Sequence, residues 1–264
     1  MPKAIFIDLD GTIVYDIFTV IESSRTALEK LRKNGHELFV CTGRNIPLVE
    51  TFFGDFFDNG VYMAGGLVIH HGERVLDARF SKEELDILTK IAKDHSGIRS
   101  YMGEQQIWSE GWINDYFNRR AGVVEASKDG TLEVYDGSPV YKADIRFHME
   151  QRKDYEEAAE DLRKAGFAFS EYLPSEEMGL CLETSKKGIS KGAAIEQLCR
   201  MGIIRKEDTI CIGDSMNDYE MMKVCAYSIA MGNAEEELKK KADYVTDRIE
   251  NDGFYKAFEY LKLL

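Results

Sequence analysis

Short apolar runs alternate with amphipathic segments in the first and last thirds of the chain. Each run has four or five residues, the length of a buried strand, and the runs predict strands over 4–8, 37–41, 61–64, 209–212, 227–230 and 243–246. Between them, apolar residues recur at helical spacing and predict helices over 23–34, 47–57 and 191–201. Apolar strands that alternate with helices are typical of a parallel sheet covered by helices on both faces.

The middle of the chain has a different pattern. It contains predicted helices over 82–95 and 151–165 and extended apolar stretches over 141–148, 167–169 and 180–182. Two successive units of one helix plus strands predict an α+β insert with a largely antiparallel sheet. We therefore predict an α/β protein. Its doubly wound, Rossmann-like parallel sheet is built from 1–80 and 184–264, and the inserted α+β domain spans 81–183.

Composition and charge indicate which binding partners and which cellular location to expect. The net charge of −13 opposes general nucleic-acid binding, which needs a basic surface to displace counterions. The chain enters a strand directly and has no apolar run of membrane-spanning length, so we expect neither a leader nor a membrane anchor. Five cysteines without a Cys-x-x-Cys pair indicate free thiols, and we expect a cytoplasmic location.

Two carboxylates lie at the end of the first predicted strand. Asp8 and Asp10 are spaced i, i+2, which places both side chains on one face of an extended chain. Two acids this close repel each other, and a divalent cation offsets that repulsion. The alternative interpretation is an acidic strand-to-helix turn, with Gly11 supplying the bend and Asp10 or Thr12 acting as the cap.

The second strand is followed by Thr42, Gly43, Arg44 and Asn45. A hydroxyl, exposed amides and a glycine that lets the backbone approach closely can form a small phosphate cradle. A plain βα turn capped by Thr42 explains the same residues. Ligands of open α/β sheets bind at the carboxyl ends of strands. The position of these residues therefore favours a phosphate-binding role if other strand ends carry similar residues.

Charged and polar residues also lie at a later predicted helix start and after a later predicted strand. Lys191 lies at a predicted helix amino terminus, where its charge opposes the helix dipole, as it would if it held an anionic substrate. A solvated lysine cluster is the alternative. The strand over 209–212 is followed by Asp214, Asn217 and Asp218, which an Asx-rich helix start would also explain.

The ordered motifs together resemble the haloacid dehalogenase (HAD) superfamily over the whole chain, and most closely its Cof-type, or type IIB, phosphatases. The segment 8–12 (DLDGT) matches motif one, 42–44 (TGR) motif two, Lys191 motif three and 213–218 (GDSMND) motif four. One position departs from the family, which usually has Asn where this chain has Ala64. We expect that departure to alter substrate contacts.

The resemblance implies a Mg²⁺-dependent phosphatase of small phosphorylated metabolites, with sugar phosphates as the expected class. Asp8 is the implied nucleophile and Asp10 the implied proton donor and acceptor. The implied Mg²⁺ ligands are the Asp8 and Asp214 carboxylates and the Asp10 carbonyl, with Asp218 orienting metal-bound water. The groups implied to hold the phosphate come from Leu9, Thr42, Gly43, Lys191 and Asn217.

The resemblance also implies that the insert is a cap that selects the leaving group. Its residues Trp108, Trp112, Tyr116, Arg119 and Arg120 are candidates for substrate contact, although such residues are more often core or solvated surface.

Three other functions stay open. A phosphomutase or phosphotransferase would use the same aspartyl-phosphate, and a catalytically weak binding or regulatory protein would keep the scaffold. A receiver-like domain phosphorylated on Asp8 would leave the insert unexplained. The motifs name neither the physiological substrate nor the oligomeric state.

Overall fold

The computed structural model of the protein describes residues 1–15, 19–54, 56–113, 130–131, 135–171 and 179–264. The chain divides into two units. The first comprises 1–43, 52–76 and 190–264, and the second comprises 44–51 and 77–189. The predicted domain boundaries and the role of 81–183 as a cap remain predictions.

An eight-stranded sheet organises the first unit. In spatial order its strands are Tyr244–Val245, Tyr227–Ala230, Thr209–Gly213, Ala4–Ile7, Glu37–Cys41, Asn59–Tyr62, Leu67–His70 and Glu73–Asp77. The first six run parallel to one another, and Leu67–His70 pairs antiparallel with Asn59–Tyr62. All four residues of the central strand Ala4–Ile7 are buried, because helices cover both faces of a parallel sheet. The predicted α/β fold class is confirmed.

The helices of this unit follow the strands. They span Glu22–Lys33, Lys191–Arg200, Tyr219–Val224, Glu236–Lys239 and Gly253–Tyr260, and a further helix, Ile46–Phe53, contains the chain boundary at 51/52. Ser190 starts Lys191–Arg200, since its Oγ accepts the N–H of Ala193 over 3.1 Å. That cap places Lys191 at the first helical position.

The second unit contains the α+β arrangement expected of the insert. Its six strands, in spatial order, are Gly130–Thr131, Ile107–Ser109, Ile98–Gly103, Val140–Phe147, Leu180–Ser185 and Ala168–Glu171. All neighbouring pairs are antiparallel except the first, which is parallel. The helices Lys82–Asp94 and Arg152–Ala165 pack on one face, and a buried apolar cluster that includes Leu88, Ile145 and Leu162 lies there.

The sequence pattern predicted no bounds for several of the observed strands. They include Leu67–His70 and the edge strand Glu73–Asp77 beside it, the short ribbon of Val14–Tyr15 with Thr19–Val20, and Ile98–Gly103 with Ile107–Ser109 in the second unit. No residue of Glu73–Asp77 is buried, so this edge strand lacks the apolar signature of a strand. The predicted strand over 61–64 is displaced, because the strand ends at Tyr62 and Ala64 lies in a 3₁₀ turn.

Within the described ranges, no helix has the length and apolar character needed to cross a membrane. The five cysteines all belong to those ranges and are free thiols.

Candidate active site

The carboxyl ends of three neighbouring strands bring the predicted site residues to one sheet edge. Ala4–Ile7 lies between Thr209–Gly213 and Glu37–Cys41, in a register that pairs Ile7 with Ile212 and with Val40. Asp8 follows the central strand, and its N–H donates to the carbonyl of Ile212 over 3.0 Å. Parallel pairing therefore determines that residues following each of these strands leave the sheet on the same side.

Lys191 joins two carboxylates of this edge. Its Nζ donates to Asp8 Oδ1 over 2.6 Å and to Asp218 Oδ1 over 2.7 Å. The exposed fractions of these side chains are 2% for Lys191, 8% for Asp8 and 0% for Asp218. Buried charges are tolerated only when they are paired and hydrogen-bonded, and here each charge has a partner.

Asp218 positions the loop that carries Asp214. Its second oxygen, Oδ2, accepts the backbone N–H groups of Asp214 (3.0 Å) and Ser215 (3.2 Å). Both Asp218 oxygens are thus engaged by protein groups. This arrangement fits a residue that orients its neighbours better than one that binds a metal directly.

Three carboxylates lie close enough to share one cation. Asp8, Asp214 and Asp218 each offer an oxygen, and these oxygens lie within 4.8 Å of one another. Burial, followed by the Asp218 charge, raises the pKa of Asp8 to about 7, although Lys191 opposes the shift. Burial and the charges of Asp8 and Asp218 raise the pKa of Asp214 to about 9. Lys191 supplies only one positive charge, so the three carboxylates can all be ionised only beside a further cation, and their oxygen atoms fit a hard divalent ion such as Mg²⁺.

Gly11 makes the close approach of the first turn to Asp214 feasible. Its φ is +80°, and a Cβ at this position would lie 2.0 Å from Asp214 Oδ2. A side chain there would displace the Asp214 carboxylate. The glycine of the DLDGT segment is therefore needed for space as well as for the turn.

The remaining predicted residues lie along the same strand ends. Leu9 is buried and Asp10 is exposed beside it, and the backbone of Asp10 forms a bridge with Val14. Thr42 is buried; it and Gly43 follow the strand next to Ala4–Ile7.

Asn217 lies in the turn Met216–Asp218, and its Oδ1 accepts the hydroxyl of Ser215 over 2.7 Å. The described contacts thus join Asp8, Lys191, Asp214 and Asp218 directly. The functional roles of all these residues remain predictions.

No role was assigned from the sequence to Asn233, which hydrogen-bonds to the turn that contains Gly11. Its Nδ2 donates to the Gly11 carbonyl over 2.8 Å, and its Oδ1 accepts the N–H of Ile249 over 2.9 Å. Asn233 closely follows the strand Tyr227–Ala230. The strand-end rule, applied to this strand as well, would have identified it.

The position that departs from the family adopts an unusual backbone conformation. Ala64 has φ 55° and ψ 29°, in the left-handed region that alanine rarely adopts. Its N–H donates to the Thr42 carbonyl over 2.9 Å, so the turn abuts the predicted phosphate cradle. Asparagine tolerates this conformation better than alanine does.

The residues of the insert that were predicted to contact substrate differ in burial and in whether the structure describes them. Trp108 is buried in the apolar cluster of the second unit, which makes it a core residue. The Trp112 ring lies 5.0 Å from the ring of His148. Tyr116, Arg119 and Arg120 lie outside the described residues.

Comparisons with known proteins identify the family of the chain. The family model of the haloacid dehalogenase-like hydrolases matches residues 5–258. The chain is similar to phosphatase YwpJ of Bacillus subtilis (strain 168), with 26% identity covering 98% of this chain and 99% of that protein. It is also similar to 5-amino-6-(5-phospho-D-ribitylamino)uracil phosphatase YcsE of the same organism, with 25% identity covering 98% and 95%.

The fold is similar to that of a solved structure, the HAD subclass IIB sugar phosphatase BT4131. The TM-score is 0.81 at 24% identity, over 99% of this chain and 100% of that one. The resemblance inferred from the motifs is thus confirmed by a family match over nearly the whole chain. The chain belongs to the haloacid dehalogenase-like hydrolase family, and it is a phosphoric monoester hydrolase.

Proposed function

We propose that the protein is a Mg²⁺-dependent phosphatase of small phosphorylated metabolites that works through an aspartyl-phosphate on Asp8. The observation that carries the proposal is the buried contact of Asp8 with Lys191, beside the carboxylate of Asp214. A carboxylate held by one cation and placed beside a second cation site is suited to attack an anionic phosphate.

In the first step, an Asp8 carboxylate oxygen attacks phosphorus as the bond to the ester oxygen breaks. The exposed Asp10 donates a proton to the departing alkoxide. In the second step, Asp10 takes a proton from water while the water oxygen attacks phosphorus. The bond from phosphorus to Asp8 breaks, which releases inorganic phosphate and restores the carboxylate.

In this proposal the phosphate oxygens are held by cationic and hydrogen-bonding groups of the site. These groups are the side chains of Lys191, Thr42 and Asn217 and the backbone amides of Leu9 and Gly43. Positioning and charge stabilisation are the main requirements of phosphoryl transfer. Mg²⁺, held by the Asp8 and Asp214 carboxylates and the Asp10 carbonyl, supplies the positive charge that lets two anions meet. Asp218 maintains this arrangement through Lys191 and the backbone of Asp214.

Sugar phosphates and related polyol phosphates are the proposed substrate class. BT4131 is described as a sugar phosphatase, and YcsE acts on a phosphorylated ribityl compound. We assign leaving-group selection to the insert over 81–183. Its strand Val140–Phe147 carries buried Lys142, Asp144 and Arg146 at alternate positions, a charged row suited to polar substrates.

The test is a panel of phosphorylated metabolites assayed for free phosphate with MgCl₂ and with EDTA. We expect turnover only with the metal, and Asp8→Asn should reduce it to background, whereas the exposed Asp94→Asn should retain wild-type rates. After an acid quench, mass spectrometry should find one phosphoryl group on the peptide that contains Asp8. A near-native rate in Asp8→Asn would reject the mechanism, and label transfer to a second sugar in place of phosphate release would identify a phosphotransferase.

A further inference from the structure

A second group of potential metal ligands lies at the opposite end of the strand Glu37–Cys41. Nε2 of His70 lies 2.7 Å from Glu37 Oε1, and Nε2 of His71 lies 3.4 Å from the same oxygen. Glu37 begins the strand whose carboxyl end precedes Thr42, five residues later. At ~3.3 Å per residue, that separates this group from the catalytic edge by roughly 16 Å.

The three side chains have the chemistry and spacing of a zinc site. Two ligands of a tetrahedral Zn²⁺, with bonds of ~2.0–2.1 Å, lie ~3.3 Å apart. The two imidazole nitrogens converge on one carboxylate oxygen at close to that separation, and one atom from each residue lies within 4.8 Å of the others. Imidazole favours Zn²⁺, Cu²⁺ and Ni²⁺ over Mg²⁺. The group of Glu37, His70 and His71 therefore suits different metal ions from the all-oxygen cluster of Asp8, Asp214 and Asp218.

The loop that carries His71 has a backbone conformation that histidine rarely adopts. His71 and Gly72, with φ of 48° and 80°, form the two-residue loop between Leu67–His70 and Glu73–Asp77. Asn-Gly is the favoured pair in such loops, so a histidine at the first position has a conformational cost. Buried Asn59 stabilises the loop, because its Oδ1 accepts the His71 N–H over 2.9 Å.

Neighbouring groups orient the other two side chains. The His70 ring is stacked on Phe39, with centroids 5.9 Å apart and planes 7° from parallel. Asn59 Nδ2 donates to Glu37 Oε1 over 3.4 Å. Contacts that hold the ligands in place are typical of metal sites.

A surface pocket is lined by two of the three residues, Glu37 and His71. Its volume is about 300 Å³, and its lining includes Arg32, His36, Glu37, Asn59 and His71. Three protein ligands beside an open space match the pattern of zinc sites that leave a fourth position for water or a small anion.

We propose that Glu37, His70 and His71 bind a transition-metal ion of the Zn²⁺ class, with the remaining coordination position facing this pocket. This binding is separate from the phosphatase site and does not depend on its chemistry.

The test is calorimetric titration of Zn²⁺ into the full chain in saturating MgCl₂, which occupies the oxygen-rich site. We expect one Zn²⁺ per chain, and at least tenfold weaker binding in His71→Asn, His70→Ala and Glu37→Gln. His71→Asn restores the favoured Asn-Gly loop, so its loss of binding does not arise from misfolding. His36→Ala is the matched control, because His36 lines the same pocket but its Nδ1 accepts the N–H of Lys3 over 3.1 Å.

A spectroscopic measurement identifies the ligands. With Cu²⁺ as the probe, electron paramagnetic resonance should show coupling to two imidazole nitrogens in the wild type and to one in His71→Asn. Phosphatase activity with Mg²⁺ should be the same in both proteins. Absence of Zn²⁺ binding in saturating Mg²⁺, or an affinity in His71→Asn and His70→Ala equal to that of the wild type, would overturn the proposal and leave a hydrogen-bonded ion pair.

Discussion

The ammonium of Lys191 lies 2.6 Å from Asp8 Oδ1, with only 2% of the lysine side chain exposed. Burial alone would lower the pKa of Lys191, but the carboxylates of Asp218 and Asp8 raise it well above its ordinary value. Lys191 therefore carries its charge in the folded protein. Its position explains why a lysine begins a helix despite the unfavourable dipole.

Replacing Lys191 should damage both stability and catalysis. In Lys191→Met, Asp8 and Asp218 lose their buried counter-ion, and we expect the free energy of unfolding in EDTA to fall by ~3–5 kcal/mol. Phosphate release should fall to near background because the phosphate also loses a cation. Chemical denaturation and a phosphate assay measure the two effects. The exposed Lys187→Met is the control, and a Lys191→Met protein as stable and active as that control would contradict the assigned position.

Stability without metal should decrease as the pH rises. The pKa values of about 7 for Asp8 and about 9 for Asp214 lie above the ordinary 3.8, so the folded protein holds protons that the unfolded chain has lost. The unfolding free energy therefore declines from about pH 4 to about pH 9. A divalent cation needs both carboxylates ionised, so stabilisation by Mg²⁺ should grow over the upper part of that range.

Thermal melting in EDTA and in MgCl₂ at a series of pH values checks this prediction. In Asp214→Asn, the pH-dependent gain from Mg²⁺ should largely disappear. A Mg²⁺ stabilisation that is constant from pH 6 to pH 9 would show that these carboxylates are not its ligands.

Substituting Gly11 should cost more than the loss of its backbone conformation. Gly11 and Gly35 have φ of +80° and +82°, but an added Cβ meets Asp214 at Gly11 and nothing within 4 Å at Gly35. Gly35→Ala should cost ~1–2 kcal/mol of stability from the left-handed conformation alone. Gly11→Ala should also displace the Asp214 carboxylate and lower activity by ~10²-fold, the effect typical of a misplaced catalytic group.

Thermal melting and phosphatase kinetics of Gly11→Ala and Gly35→Ala distinguish backbone strain from a steric clash with Asp214. Equal stability loss and equal activity in the two variants would contradict the close approach of Gly11 to Asp214.

Restoring the family residue at position 64 should stabilise the protein. Ala64 has φ 55°, and Ala64→Asn should raise the free energy of unfolding by ~0.5–1 kcal/mol because asparagine tolerates the left-handed region. Ala64→Val should do the reverse, since a β-branched residue is strongly disfavoured there. Denaturant titration of the three proteins gives the order, and a Val variant more stable than the Asn variant would refute the backbone assignment. A KM shift in Ala64→Asn would reveal a change in substrate contacts.

The predictable part of the fold depended on local periodicity. Apolar runs located the strands Ala4–Ile7, Glu37–Cys41 and Tyr227–Ala230 to within a residue or two, since each is buried on both faces. The edge strand Glu73–Asp77 was missed because none of its side chains is buried, so nothing in its sequence separates it from a loop. The two-helix, antiparallel character of the second unit was also evident from the order of its elements.

The amino-acid sequence by itself determined the α/β class, the order of the motifs and the family to which the chain belongs, because these depend on residue type and spacing along the chain. Only the tertiary structure decided which side chains meet. Lys191 reaches Asp8 across 183 positions, and His70 reaches Glu37 across 33. Contacts of this kind depend on strand order and register, which bring distant residues together and leave no trace in local periodicity. For the pair Asp8 and Asp10, the sequence indicated a shared cation, which stays a prediction, and the structure added that Asp8 is buried and held by Lys191 while Asp10 is exposed.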